Sequence, residues 1–173
     1  MSMSSLADVP RNEMFHTEET VPKLGRRKTR WGSVALYTAL VGATSFGAPY
    51  YIWKHGLSAP QIALFTFYFL ATSFAITVGY HRCFAHSTFK AHPVVEFLLL
   101  FFGAATFEQS ALKWSSQHRS HHQYTDTDRD PYNIKKGFFY AHIGWIMLWK
   151  HPVSYDNVRD LQKRPFVQHQ HTH

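Results

Sequence analysis

The chain has 173 residues, which is enough for one domain, with a formal net charge of +7, 13 histidines and one cysteine. A single cysteine excludes an intrachain disulfide and the CxxC motifs of zinc and redox proteins. The basic charge would suit nucleic acid or an anionic membrane surface, but the apolar residues are concentrated in blocks, which favours the membrane and leaves a nucleic-acid binder poorly supported.

Residues 1–30 are polar and end in a basic cluster, so we expect a disordered cytoplasmic arm. The apolar core of a signal peptide would lie nearer the start of the chain. A basic cluster before an apolar run is typical of the flank of a first membrane span. A charged tail that serves only solubility is the alternative.

Two uncharged runs of 21 residues follow, at 33–53 and 60–80. Each is long enough to cross a hydrocarbon core of about 30 Å at about 1.5 Å per residue. The loop between them carries little positive charge, whereas the segments on either side carry much. The sequence therefore predicts a transmembrane helix hairpin that starts and ends in the cytoplasm. A pair of buried helices in a soluble protein is the alternative.

Two later apolar stretches are too short to cross. Residues 94–107 keep only eleven uncharged residues after Glu96, and residues 137–149 contain thirteen. We expect both to lie in or along the membrane interface. The predicted fold class is all-α and integral to the membrane, with a transmembrane helix hairpin, in-plane helices and a cytoplasmic histidine-rich cap.

The histidines that carry the chemistry form two boxes, His81-Arg82-Cys83-Phe84-Ala85-His86 and His118-Arg119-Ser120-His121-His122. On a helix the three histidines of the second box occupy positions i, i+3 and i+4, which share one face. The first box spaces its two histidines five apart, about 140° around an ideal α-helix, so they can bind one metal only if the helix ends or unwinds between them. Imidazole suits iron, copper or zinc, and the boxes predict a metal site.

A cytoplasmic metal platform on a membrane hairpin indicates a lipid-derived substrate. Cleavage of an unactivated C–H bond requires activated dioxygen, which bound iron can provide. His142, Trp145 and Trp149 lie near one helical face, and we interpret that stripe as packing, so His142 is not predicted to be a ligand.

The two boxes resemble the first two histidine boxes of the membrane fatty acid desaturases. The segments that surround them are similar to the acyl-CoA Δ9 (stearoyl-CoA type) desaturases, namely residues 109–114, 124–126, 130–132 and 137–145. The resemblance implies a diiron enzyme of the endoplasmic reticulum or the bacterial inner membrane. Such an enzyme uses O₂ and two electrons, from cytochrome b5 or a ferredoxin-type donor, to place a cis double bond at C9–C10 of a saturated acyl chain.

Site residues follow from the same resemblance. It implies that the iron ligands are His81, His86, His118, His121 and His122. It also implies that Trp114 lines the acyl tunnel and that Lys150 lies near the phosphates of the acyl carrier; packing for Trp114 and a solvated charge for Lys150 are the alternatives. Ser116 and Gln117 stand where animal members carry a charged pair, so acyl-CoA, acyl carrier protein and phospholipid all stay open as the carrier.

The family pattern continues with two more membrane helices, a lone histidine ligand and a third HxxHH box, which these 173 residues lack. We therefore expect residues 31–173 to be the N-terminal part of a desaturase domain, truncated and inactive by itself. A membrane diiron hydroxylase or alkane monooxygenase is one alternative function. A non-catalytic membrane protein that binds a metal or haem is another.

Overall fold

The computed structural model describes residues 29–148 and 153–173, and all regular structure within these ranges is helical. This agrees with the predicted all-α class. The predicted N-terminal arm lies almost entirely outside the described residues.

Two long helices come first. Helix α1 covers residues 31–55 as Trp31–Gly42, a π-helical stretch Ala43–Gly47, and Ala48–His55, and it ends at Gly56, whose φ of +71° favours glycine. Helix α2 covers Ala59–Ala85, α-helical over Ala59–Phe74 and π-helical over Ala75–Ala85. A capping box between Ser58 and Gln61 starts α2, with proline in its first turn.

The predicted spans lie inside these two helices. Among the described residues, α2 is the helix that is long and apolar enough to cross a membrane by length and composition. Its large apolar side chains lie mostly on the outside, with Phe65 70% and Phe74 59% exposed. The crossing itself and its direction stay predictions.

The long helices run as a hairpin. Near the connection, Gln61 Nε2 donates to the Tyr51 hydroxyl at 3.2 Å. At the other end, the backbone N–H of Arg30 donates to the Met147 carbonyl at 3.0 Å. Met147 lies in the same short helix as Trp145, whose ring packs on Tyr132. The Tyr132 hydroxyl in turn contacts His118 of the second histidine box. The start of α1 and the end of α2 therefore lie on the same side of the molecule.

The later elements are short. They are α3 (Pro93–Ala104), α4 (Ala111–Tyr124), a 3-10 turn (Ile134–Lys136), α5 (Tyr140–Gly144 and Trp145–Leu148), two more 3-10 turns (Asp156–Val158 and Leu161–Lys163) and α6 (Pro165–Thr172). They pack around the π-helical end of α2, where the core residues gather: Tyr80, Cys83, Phe84, Leu100, Ala111, Leu112, Val158, Leu161 and Val167.

Glycine lets α3 lie directly on α2. A Cβ added at Gly103 would come within 2.3 Å of the Tyr80 ring, and one added at Gly79 would come within 3.0 Å of Leu99. Gln170 of α6 completes this packing, since its amide donates to the Tyr80 hydroxyl and the Leu100 carbonyl, both at 2.7 Å. The core therefore holds the histidine-bearing end of α2 rigidly against its neighbours.

Candidate metal centre

The first box sits on the π-helical segment of α2. In a π-helix the backbone bonds run from residue i to i+5, and the N–H of His86 donates to the His81 carbonyl at 3.0 Å. Residues five apart therefore stack above one another, and the two Nε2 atoms lie 3.2 Å apart. The expected unwinding between these histidines takes the form of a π-helix, which is wider than an α-helix and ends at the second histidine.

The second box sits on α4, which begins at Ser110, whose hydroxyl accepts from the Lys113 N–H. His118 and His122 are one turn apart, with their Nε2 atoms at 3.0 Å. Packing of α4 against the end of α2 brings His118 Nε2 to 3.1 Å from His86 Nε2 across 32 residues of sequence.

Four imidazoles thus form one group, which we call the four-histidine cluster: His81, His86, His118 and His122. Their ligand atoms all lie within 4.8 Å of one another. Two nitrogens that bind one metal at about 2.0–2.1 Å, with an N–metal–N angle of about 90°, lie about 3 Å apart. The observed spacing of the imidazole nitrogens therefore fits one metal ion. In the metal-free protein the same spacing suits N–H···N hydrogen bonds.

Burial and neighbouring rings favour the neutral form of two of these imidazoles. Burial, reinforced by the neighbouring histidines, lowers the pKa of His118 to about 3. Burial and the adjacent His81 and His122 also lower the pKa of His86. Since a metal binds the deprotonated ring, the lowered pKa values of His118 and His86 favour cation binding by these two rings.

His121, the remaining predicted ligand, is not a member of the cluster. Its Nδ1 lies 3.0 Å from both carboxylate oxygens of the buried Asp130, and its ring packs on Tyr132 at 4.3 Å between centroids. Two histidines of this box therefore converge with the first box and His121 does not, and the role of all five as ligands stays a prediction.

Arg119, which stands between the histidines of the second box, joins the two boxes. Its guanidinium donates to the carbonyls of Phe84 (2.9 Å) and Ala85 (2.7 Å) and forms a bidentate pair with Asp160 (2.7 and 2.9 Å). Phe84 and Ala85 are the last two residues of α2, where helix carbonyls lack internal partners. Sequence reasoning missed this role, although the arginine stands inside the motif.

Trp114 lies beside the cluster. Its ring stacks on His118 at 4.7 Å and 22°, and its Nε1 donates to Glu108 at 2.8 Å. Its predicted role in the acyl tunnel stays a prediction, as does that of Lys150, which lies outside the described residues. Ser116 and Gln117 are buried, and the Ser116 hydroxyl donates to the Ser154 carbonyl. Both therefore face the interior of this chain.

His142 is exposed, and its ring stacks on Phe138 at 5.5 Å between centroids, outside the four-histidine cluster. Trp149 of the same predicted stripe lies outside the described residues, and packing of the stripe stays a prediction.

The chain is similar in sequence to known fatty acid desaturases. The model of the fatty acid desaturase family matches residues 58–172. A probable acyl-CoA desaturase of Schizosaccharomyces pombe is 42% identical over 134 residues, 74% of this chain and 28% of that protein. A Δ9 fatty-acid desaturase of Caenorhabditis elegans is 34% identical over 143 residues, 82% of this chain and 41% of that protein.

An acyl-CoA Δ11 desaturase of Trichoplusia ni is 46% identical over 93 residues, 53% of this chain and 27% of that protein. The chain thus spans between about a quarter and two fifths of the length of these curated relatives. The matched residues include both boxes and every member of the four-histidine cluster. This chain belongs to the fatty acid desaturase family.

Proposed function

We propose that this chain carries iron-binding residues of a membrane acyl desaturase that introduces a cis double bond at C9–C10 of a saturated acyl-CoA. The observation that carries the proposal is the convergence of imidazoles from two helices into the four-histidine cluster. The proposed position of the double bond rests on the resemblance of residues 109–145 and on the similarity to the Δ9 desaturase of Caenorhabditis elegans. The similarity to the Δ11 desaturase of Trichoplusia ni means that the position must be measured in the product.

Two irons are part of the proposal. The four-histidine cluster has the donor set for one ion, and His121 would be the first ligand of the second. Iron bound there would supply the dioxygen activation that removal of hydrogen from an unactivated chain requires. The 173 residues provide only these five box histidines, so we expect the isolated chain to bind about one iron tightly and to be inactive or nearly so.

The membrane supplies the substrate in this proposal. Helices α1 and α2 expose aromatic and aliphatic side chains along their length, a surface suited to hydrocarbon. We propose that they cross the bilayer as a hairpin at about 33–53 and 60–80, with residues 1–30 as a cytoplasmic arm. The membrane would be that of the endoplasmic reticulum or the bacterial inner membrane.

Trp114 is proposed to border the acyl chain. Its ring lies against His118, and the bond from its Nε1 to Glu108 fixes the orientation of the ring. An apolar wall of this kind would hold a methylene chain next to the metal and exclude water. Lys150 is proposed to lie near the carrier's phosphates, with cytochrome b5 or a ferredoxin-type protein as the electron donor.

The test uses the purified chain in detergent with Fe²⁺, O₂, an electron donor and stearoyl-CoA. We expect about one tightly bound iron per chain, lost in a His118→Ala variant and kept in His142→Ala, the matched control outside the cluster. A chain that binds no iron would refute the metal site. Two irons per chain with production of oleate would refute the expected inactivity while supporting the desaturase function.

The chemical nature of the product distinguishes a desaturase from a hydroxylase or alkane monooxygenase. A relative of this chain that includes the third histidine box should form oleate, identified by the position of its double bond. An alcohol formed in the same assay would favour the hydroxylase or alkane monooxygenase alternative and overturn desaturation.

A further inference from the structure

The loop that follows the second histidine box holds a fully buried carboxylate, Asp130. One of its oxygens accepts the Asp126 N–H at 3.0 Å, and the other accepts the Tyr132 N–H at 3.1 Å. These backbone bonds fix the carboxylate within its own loop. Both oxygens then lie 3.0 Å from His121 Nδ1.

This contact determines which nitrogen of His121 carries the proton. A carboxylate only accepts hydrogen bonds, so Nδ1 must be the N–H donor, and the lone pair of the neutral ring is left on Nε2. A histidine held in this way by an outer carboxylate has a fixed ring orientation and a more basic metal-binding nitrogen. The Tyr132 ring, packed on the other side at 4.3 Å, restricts rotation of the imidazole.

Tyr132 also contacts the four-histidine cluster. Its hydroxyl lies 3.2 Å from His118 Nδ1, while His118 Nε2 faces the other members of the cluster. With Nε2 available to a metal, Nδ1–H donates to the Tyr132 oxygen. The ring of Tyr132 is held in turn by Trp145, at 5.1 Å between centroids.

We propose that Asp130 and Tyr132 are positioning residues that set the ring orientation and tautomer of His121 and His118, so that each presents Nε2 to a metal. The inference rests on the proposed function in assuming that these histidines are ligands. It assigns roles to two residues that neither box contains, and it concerns how the ligands are held, not which metal they bind.

The first experiment needs no metal. Nitrogen-15 NMR of the histidine-labelled, metal-free chain in detergent reports which ring nitrogen is protonated. We expect His121 to carry its proton on Nδ1 in the wild type. Asp130→Asn should abolish that preference, whereas the exposed Asp128→Asn, in the same loop, should keep it. A wild-type His121 protonated on Nε2 would overturn the assignment whatever the variants do.

The second experiment measures Co²⁺ affinity by titration. Tyr132→Phe keeps the ring contacts and removes only the hydroxyl, and we expect the affinity to fall about 10- to 100-fold, the usual effect of losing an outer hydrogen bond to a ligand. Tyr124→Phe is the matched control and should bind as the wild type does. Melting temperatures in chelator verify that each variant is folded.

The outcomes separate the two proposals. If the wild type binds no Co²⁺, the metal site fails and the tautomer measurement alone decides the positioning roles. If the wild type binds Co²⁺ and Tyr132→Phe binds equally well, the positioning role of Tyr132 is refuted while the metal site stands.

Discussion

Arg119 should contribute more to stability through the backbone carbonyls that it binds than through its ion pair. In Arg119→Ala the carbonyls of Phe84, Ala85 and Asn157 lose their donor, and Phe84 and Ala85 are buried. An unsatisfied buried acceptor costs about 1–3 kcal/mol. The Arg119 side chain is 23% exposed, so water can partly replace it. We therefore expect a loss of about 2–4 kcal/mol in the free energy of unfolding.

The matched variant is Asp160→Asn, which removes only the ion pair. The Asp160 side chain is 49% exposed, and exposed ion pairs contribute about 0–1 kcal/mol. The loss of stability in Arg119→Lys should lie between those of Arg119→Ala and Asp160→Asn. A single ammonium group lacks the planar guanidinium that reaches the carbonyls and the carboxylate together.

The assay is chemical unfolding in detergent micelles with chelator present, so that metal binding does not contribute to the measured stability. Co²⁺ titration of the same variants shows whether loosening the contact between the boxes also weakens the four-histidine cluster, which we expect for Arg119→Ala. The proposed role of the Arg119 carbonyl contacts is refuted if Asp160→Asn costs as much stability as Arg119→Ala, or if Arg119→Ala unfolds at the same denaturant concentration as the wild type.

Three further predictions concern the packing of the core and the loss of stability in acid. Gly103→Ala should cost about 1–3 kcal/mol by forcing the Tyr80 ring aside, whereas Gly42→Ala, in open space, should be neutral or stabilising; equal effects would contradict the close approach. Gln170→Ala should cost about 2 kcal/mol by removing three hydrogen bonds, and an unchanged melting temperature would refute that role. The hydrogen bond from Arg119 lowers the pKa of Asp160, so its contribution is present above about pH 4 and lost as the pH falls through the lowered pKa. The free energy of unfolding of Asp160→Asn should therefore fall less steeply than that of the wild type as the pH is lowered in the acid range. The same pH dependence in both proteins would exclude this contribution.

The pattern along the chain predicted the types of element well. Long uncharged runs became α1 and α2, and the short run at 94–107 became the short helix α3. These features depend on composition and period, which are local properties. The π-helical geometry of α2 was not specified in this way, because the five-residue spacing of His81 and His86 is compatible with a helix that ends as well as with one that unwinds.

The sequence identified the box histidines as candidates, but it did not indicate which of them converge in the fold. Residue type and spacing identified the box histidines, since few other functions require so many imidazoles in two short segments. His121 contacts Asp130 and not the four-histidine cluster because of the way the following loop folds. The periodicity of the sequence does not indicate the path of that loop. The same holds for Arg119, whose partner Asp160 lies 41 residues away.

The sequence by itself determined the helical class, the two boxes and the family, because each is carried by neighbouring residues. Only the tertiary structure decided which imidazoles meet and which side chains hold them. The physical reason is that a metal site needs nitrogens about 3 Å apart, and that spacing depends on the π-helix of α2 and its packing against α4.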